Sequence, residues 1–208
     1  MEYLPLIGTV ALLNLFAAIS PGPDFLMTVK NSLKYSRRSG IYTGIGIGLG
    51  ISVHIFYCAA GIGYIISKSV LIFTVIKFIG AAYLIYMGIT SILAKKSKIE
   101  VTETKQLKDL TPGQSLRIGF ITNVFNPKAT LFFLGLFTFV INHNTPLHIV
   151  VIIAVIMVIT AMVWFTVVSV FFTQKHIRNG FMKIETIMNK VFGGLLIILG
   201  IKIALASR

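Results

Sequence analysis

The amino-acid sequence predicts an all-α integral membrane protein. It predicts six transmembrane helices, arranged as two inverted three-helix repeats with helices 1 and 4 broken at proline motifs. Three observations predict this fold class: an apolar composition, long intervals without charge, and a similarity between the two halves of the chain. Of the 208 residues, 56% are hydrophobic and 12% are charged, whereas a soluble domain usually has roughly 25% charged residues. An ordinary soluble globular protein is therefore excluded.

The intervals without charge give six stretches that can each cross a bilayer, which takes about 20 mostly apolar residues. The longest interval, between Lys128 and Lys175, has 46 residues without Lys, Arg, Asp or Glu. It must turn back on itself, and the polar residues 142–146 are the place for that turn. The predicted spans are residues 4–28, 39–67, 70–93, 118–141, 147–173 and 187–206.

Lys and Arg are concentrated in the loops on one side of these spans. The first, third and fifth loops hold thirteen of them, whereas the opposite side holds only Lys68 and Arg208. Because loops rich in Lys and Arg stay in the cytoplasm, we expect both termini to lie outside. In a soluble protein the net charge of +13 would point to nucleic acid. Here the basic residues lie mainly between apolar blocks and indicate topology instead, so no nucleic-acid partner is expected. The chain lacks the basic start of a signal peptide, so the first span is expected to be retained.

An internal repeat divides the chain into residues 1–94 and 118–208, on either side of a cytoplasmic linker at residues 95–117. The sequence KFIGAAYL at 77–84 parallels KVFGGLL at 190–196, and a further glycine follows each, Gly88 and Gly200. Each repeat holds three spans, which is an odd number, so the second repeat must enter the membrane from the other side. Inverted repeats of this kind are found in many secondary transporters.

A proline motif interrupts the first span of each repeat. Both motifs place proline, which is preferred at the first helical position, after a preferred N-cap residue, and so each begins a new half-helix near the bilayer midplane. The free N–H groups there favour an anion, and we expect both breaks to line one cavity. The alternative is a pair of proline kinks without a ligand. The residues assigned to substrate binding are Pro21, Gly22, Pro23, Asp24, Asn123, Asn126, Pro127 and Lys128.

Ionisable side chains inside the predicted spans are the candidates for proton transfer. Asp24 either carries a proton or only complements the start of its own helix. Lys128 either neutralises Asp24 or attracts an anionic group. His54 is a second candidate for a proton relay, with packing as its alternative role. Cys58 is the single cysteine, which excludes paired-thiol chemistry, and no metal or cofactor is expected.

The proline motifs, the basic loop and the glycine-rich second span together resemble the LysE/RhtB superfamily of bacterial amino-acid exporters. The similar segments are PGPD at 21–24, the glycines between 40 and 50, and NPKA at 126–129. This resemblance implies a six-span inner-membrane protein that exports amino acids or their derivatives, driven by the proton gradient.

Two other functions are weighed against amino-acid export. A heavy-metal cation exporter of the same architecture would need clustered Cys, His and carboxylate ligands. An integral-membrane enzyme would need a nucleophile and base, or a metal set, at one depth. The glycines between 40 and 50 suit helix contacts within a chain as well as between chains, so a homo-oligomer is left open.

Overall fold

The computed structural model describes residues 3–94, 108–141 and 145–206, and these form eight α-helices. By length and apolar composition, four of them can each cross a membrane. The number rises to six if each of two bent helix pairs is one span. The helices are α1 (Leu4–Ile19), α2 (Pro23–Lys34), α3 (Arg37–Lys68), α4 (Val70–Leu93), α5 (Pro112–Val124), α6 (Pro127–Val140), α7 (Leu147–Phe171) and α8 (Lys175–Leu205).

Both helix interruptions predicted from the proline motifs are confirmed. The α1–α2 pair bends by 54° and the α5–α6 pair by 59°. The second and third predicted spans agree with α3 and α4 to within two residues. Of the turn predicted at 142–146, residues 142–144 lie outside the described residues.

Three predicted boundaries differ from the structure by six residues or more. Helix α2 continues to Lys34, whereas the predicted first span ends at residue 28. Helix α5 begins at Pro112, inside the predicted linker, because Thr111 and Gln114 form a reciprocal capping box; residues 95–107 of that linker are not described. Helix α8 begins at Lys175 rather than at 187. Its buried face continues through Arg178 and Glu185, so these polar residues belong to the helix and not to the loop before it.

Helices α4 and α8 cross at small residues. A Cβ on Gly88 would lie 2.6 Å from the carbonyl oxygen of Gly193, and a Cβ on Gly193 would clash with the carbonyl oxygen of Gly88. Further along, a Cβ on Gly200 would lie 2.8 Å from the carbonyl oxygen of Ala81. The glycines of the repeated segment therefore let the two backbones approach closely.

Helix α3 packs along α5 and α7 through its glycine-rich face. A Cβ on Gly46 would clash with the carbonyl oxygen of Leu116, and a Cβ on Gly44 would lie 2.7 Å from Cβ of Phe165. This face therefore serves contacts within the chain.

At one end of the bundle α2, α4 and α7 finish and α3, α5 and α8 begin, and we call this the basic end. Asp109 lies there, just before α5. Its Oδ1 accepts a hydrogen bond from Oγ of Ser39 at 2.5 Å, and its Oδ2 accepts one from Oγ of Ser36 at 2.8 Å. These hydroxyl donors lower the pKa of Asp109. Asp109 thus ties the start of α5 to the start of α3.

Candidate functional site

The two helix breaks differ in how the second half-helix begins. Helix α2 starts at Pro23 after Gly22, which offers no side-chain cap. The prediction that it starts at Pro21 after Ser20 is therefore wrong, because Ser20 ends α1 instead. Helix α6 starts at Pro127 after Asn126, whose Oδ1 accepts a hydrogen bond from the backbone N–H of Lys128 at 3.0 Å. At both breaks proline fills the first helical position, where a missing N–H costs nothing.

Asp24 joins the two halves of the chain. Its Oδ2 accepts hydrogen bonds from Nδ2 of Asn123 at 2.9 Å and from Nδ2 of Asn126 at 3.0 Å. The other carboxyl oxygen, Oδ1, is buried and has no hydrogen-bond partner among the described residues. One carboxylate oxygen is therefore fixed by two amides, and the other is left to accept a proton or a donor group.

Lys128 reaches across to the opposite break. Its Nζ donates to the carbonyl oxygen of Ser20 at 3.2 Å and to Oγ of Ser20 at 3.1 Å. A Cβ on Gly22 would lie only 3.3 Å from that Nζ, so the absence of a side chain at Gly22 gives the lysine room.

The breaks enclose a small cavity of about 50 Å³, which we call the central chamber. It is large enough for a few water molecules and too small for an amino acid. The predicted site residues that line it are Gly22, Asp24, Asn123, Asn126 and Lys128.

A second cavity, of about 300 Å³, lies between α4, α8 and the breaks, and we call it the basic-end cavity. Pro21 lines it, as does Ala94, the residue that follows α4 at the basic end. Ser20 and Lys128 line both cavities. These two residues therefore lie at the boundary between the basic-end cavity and the central chamber.

His54 is buried beside the central chamber. Its Nε2 lies 3.0 Å from the carbonyl oxygen of Asn123, and its Nδ1 lies 2.6 Å from the hydroxyl of Tyr57. Since a carbonyl oxygen only accepts, Nε2 carries a hydrogen, and in the neutral ring Nδ1 accepts from Tyr57. The ring also stacks on Phe133, with centroids 5.5 Å apart. Asn123 thus contacts both His54 and Asp24.

Three polar residues near these cavities are not among the site residues predicted from the sequence. Asn14 lines the central chamber and donates through Nδ2 to the carbonyl oxygen of Met157. Glu185 and Asn189 line the basic-end cavity and are buried. Glu185 lies just before the predicted sixth span, and it was missed because α8 begins earlier than predicted and carries Glu185 on its buried face. The available signal was a spacing of four residues, which places Glu185 and Asn189 on one helix face.

Among the described residues, no group of three or more His, Cys, Asp or Glu side chains is arranged to hold a metal ion. The site instead combines a carboxylate, an ammonium group, side-chain amides and two helix starts. Such a set can bind a small zwitterion through both of its charges.

Comparison with known proteins identifies relatives over nearly the whole chain. A threonine efflux protein of Escherichia coli K12 is 28% identical and covers 98% of this chain and 99% of its own length. The membrane protein YrhP of Bacillus subtilis is 29% identical, covering 99% and 98%, and a membrane protein of Vibrio cholerae is 31% identical, covering 91% and 92%.

No solved structure matches the chain significantly. The family model described as LysE type translocator matches residues 15–207. That match agrees with the resemblance noted from the proline motifs, and it indicates a membrane transporter rather than an enzyme. The chain belongs to the LysE type translocator family.

Proposed function

We propose that this protein is a proton-coupled secondary exporter of amino acids or amino-acid derivatives in the bacterial inner membrane. The observation that carries the proposal is Asp24, which two amides from the opposite half of the chain hold where both helix breaks meet. The family match and the name of the threonine efflux relative support export of a small amino acid. Protons are the proposed coupling ion.

In the proposed topology the basic end faces the cytoplasm and both termini lie outside. The loop charges support this orientation, because Lys and Arg in short loops are retained on the cytoplasmic side. Each bent pair, α1–α2 and α5–α6, then counts as one span, which gives six.

The α4–α8 contacts support an inverted repeat. The sequence similarity pairs Gly80 with Gly193 and Gly88 with Gly200. A two-fold relation would map the contact between Gly88 and Gly193 onto a contact between Gly200 and Gly80. A Cβ on Gly200 would instead lie 2.8 Å from the carbonyl oxygen of Ala81, the residue that follows Gly80. The two crossings lie close to this relation, which supports the proposed inverted repeat.

The charges at the breaks favour a zwitterionic substrate. We infer that its carboxylate binds near Lys128 and the helix starts, where a cation and free N–H groups both attract an anion. Its ammonium group binds at Asp24, whose Oδ1 is free of hydrogen bonds within the described residues. For this to occur the ammonium group of Lys128 must leave Ser20, since the central chamber is too small as it stands.

Coupling follows if the proton and the substrate ammonium compete for Asp24. An inward-moving proton would neutralise the carboxylate and release the substrate outward. His54 is the second proton-relay candidate, because Asn123 contacts both groups.

A transport assay tests this function. Proteoliposomes are loaded with one labelled amino acid at a time and diluted into buffer of equal or lower pH. Liposomes that carry the same amino acid but lack the protein are the control. We expect at least one amino acid to leave faster under the inward proton gradient. Sensitivity of a deletion strain to dipeptides would agree with that result. No movement of any of the twenty amino acids or homoserine would overturn the proposal.

A further inference from the structure

The basic-end cavity has two polar walls. Thr90 and Ser91 line it from α4, and Glu185 and Asn189 line it from α8. At about 300 Å³ it is several times larger than the central chamber. It is therefore the cavity next to the breaks that has room for a small organic solute.

The α8 wall carries two buried side chains with oxygen atoms. Glu185 is 1% exposed and Asn189 is 4% exposed, and a separation of four residues places them one helical turn apart on the same face. Oδ1 of Asn189 has no hydrogen-bond partner within the described part of the chain. A buried acceptor without a hydrogen bond is unfavourable, and a bound donor group would satisfy it.

The ammonium group of Lys128 lies beside this wall, about one helical turn beyond Asn189. Nζ of Lys128 lies 5.8 Å from the ring centroid of Phe192, and Phe192 follows Asn189 by three residues. From the basic end inward, the cavity therefore presents a carboxyl group, an amide oxygen and then an ammonium group. An α-amino acid carries the complementary pair, an ammonium and a carboxylate, on adjacent carbon atoms.

We propose that the basic-end cavity is the cytoplasmic entrance for the substrate, and that Glu185 and Asn189 bind its ammonium group while its carboxylate faces Lys128. This inference rests on the proposed export function and adds an initial binding site to it. The substrate class is a primary amine that also carries a carboxylate. Movement of Lys128 away from Ser20 then admits the substrate to the central chamber.

Uptake kinetics test the roles of the two residues. Inside-out membrane vesicles expose the basic end, and labelled substrate is supplied there to the wild type, Glu185→Gln and Asn189→Ala. Because a hydrogen bond to a charged group contributes about 1.5–3 kcal/mol, we expect KM to rise about tenfold or more while kcat changes little. Glu185→Asp should restore part of the affinity. Asn179→Ala, at an exposed position of the same helix, is the matched control and should keep the wild-type KM.

Thiol labelling tests whether the cavity itself is occupied. In a Cys58→Ser background, Thr90→Cys places the only thiol in the cavity wall, and substrate should slow its reaction with a membrane-impermeant reagent added at the basic end. When Glu185→Gln is added, the substrate concentration that protects Thr90→Cys from the reagent should rise by the same factor as KM. If Glu185→Gln does not fold, Asn189→Ala carries the same comparison.

The outcomes separate the two proposals. If the wild type moves no amino acid, the proposed function fails. If it does, but Glu185→Gln or Asn189→Ala keeps the wild-type KM and the wild-type protection of Thr90→Cys, only the proposed entrance is overturned.

Discussion

Asp24 is the residue on which proton coupling depends in this account. The substitution Asp24→Asn keeps a side-chain acceptor for Asn123 and Asn126 and removes the group that takes up a proton. We expect the variant to insert and fold, and to lose the acceleration of export by a pH gradient. Efflux with and without the gradient measures this, with size-exclusion chromatography as the control for folding. Full pH-dependent export by the variant would reduce Asp24 to a helix-start carboxylate and make His54 the next candidate.

Lys128 is expected to bind the substrate carboxylate. The change Lys128→Ala removes a charge-assisted hydrogen bond of about 1.5–3 kcal/mol, so KM should rise about ten- to a hundred-fold. Lys128→Arg keeps the positive charge, so its KM should rise less. A wild-type KM in Lys128→Ala would place the carboxylate elsewhere.

Residues beside the proline motifs could be predicted to converge, whereas isolated polar residues could not. Asp24, Asn126 and Lys128 adjoin helix starts, and a helix start has a local sequence signature. Nothing local shows which way the side chain of Asn14 faces. The spacing of Glu185 and Asn189 places them on one helix face but does not show where that face points. That depends on how far α8 extends and on how the helices pack, which local sequence does not determine.

At the scale of helices, the fit between α3 and α5 depends on the absence of a side chain at Gly46. Gly46→Ala would push a Cβ into the backbone of α5, and overpacking of this kind costs about 1–3 kcal/mol. Gly61→Ala is the matched control on the same helix, since nothing lies within 4 Å of its added Cβ. We expect only Gly46→Ala to lower the apparent Tm in detergent. Equal Tm values for the two variants would contradict this packing.

Asp109 ties α5 to α3 through a carboxylate that is ionised at neutral pH. Because its folded-state pKa is lowered, its contribution to stability is present above the unfolded pKa and is lost only as pH falls through the folded value. Asp109→Asn should therefore lower the Tm at neutral pH. It should leave the pH profile of transport unchanged between about pH 5 and 8. A shifted profile in that range would give Asp109 a part in coupling.

The boundaries of α3 and α4 follow from their apolar runs, because Ser36 and Ser69 cap them at the edges of those runs. Helix α5 begins earlier than predicted because Thr111-Pro112 is both a turn signal and a helix start. Local sequence distinguishes these two roles only through the capping box with Gln114.

At the scale of the whole molecule, two cavities on either side of the contact between Lys128 and Ser20 suggest alternating access. The central chamber of about 50 Å³ must widen to hold a substrate. The α1–α2 and α5–α6 pairs meet there, so their relative movement is the expected route. The carboxylate of Asp24 would then be reached from one side of the membrane at a time.

The measurement that tests this account most directly is proton flux driven by an amino-acid gradient. Proteoliposomes containing a pH-sensitive dye receive a gradient of the transported amino acid and no imposed pH gradient. We expect protons to move opposite to the amino acid in the wild type and not to move in Asp24→Asn. Amino-acid transport by the wild type without any proton movement would contradict it.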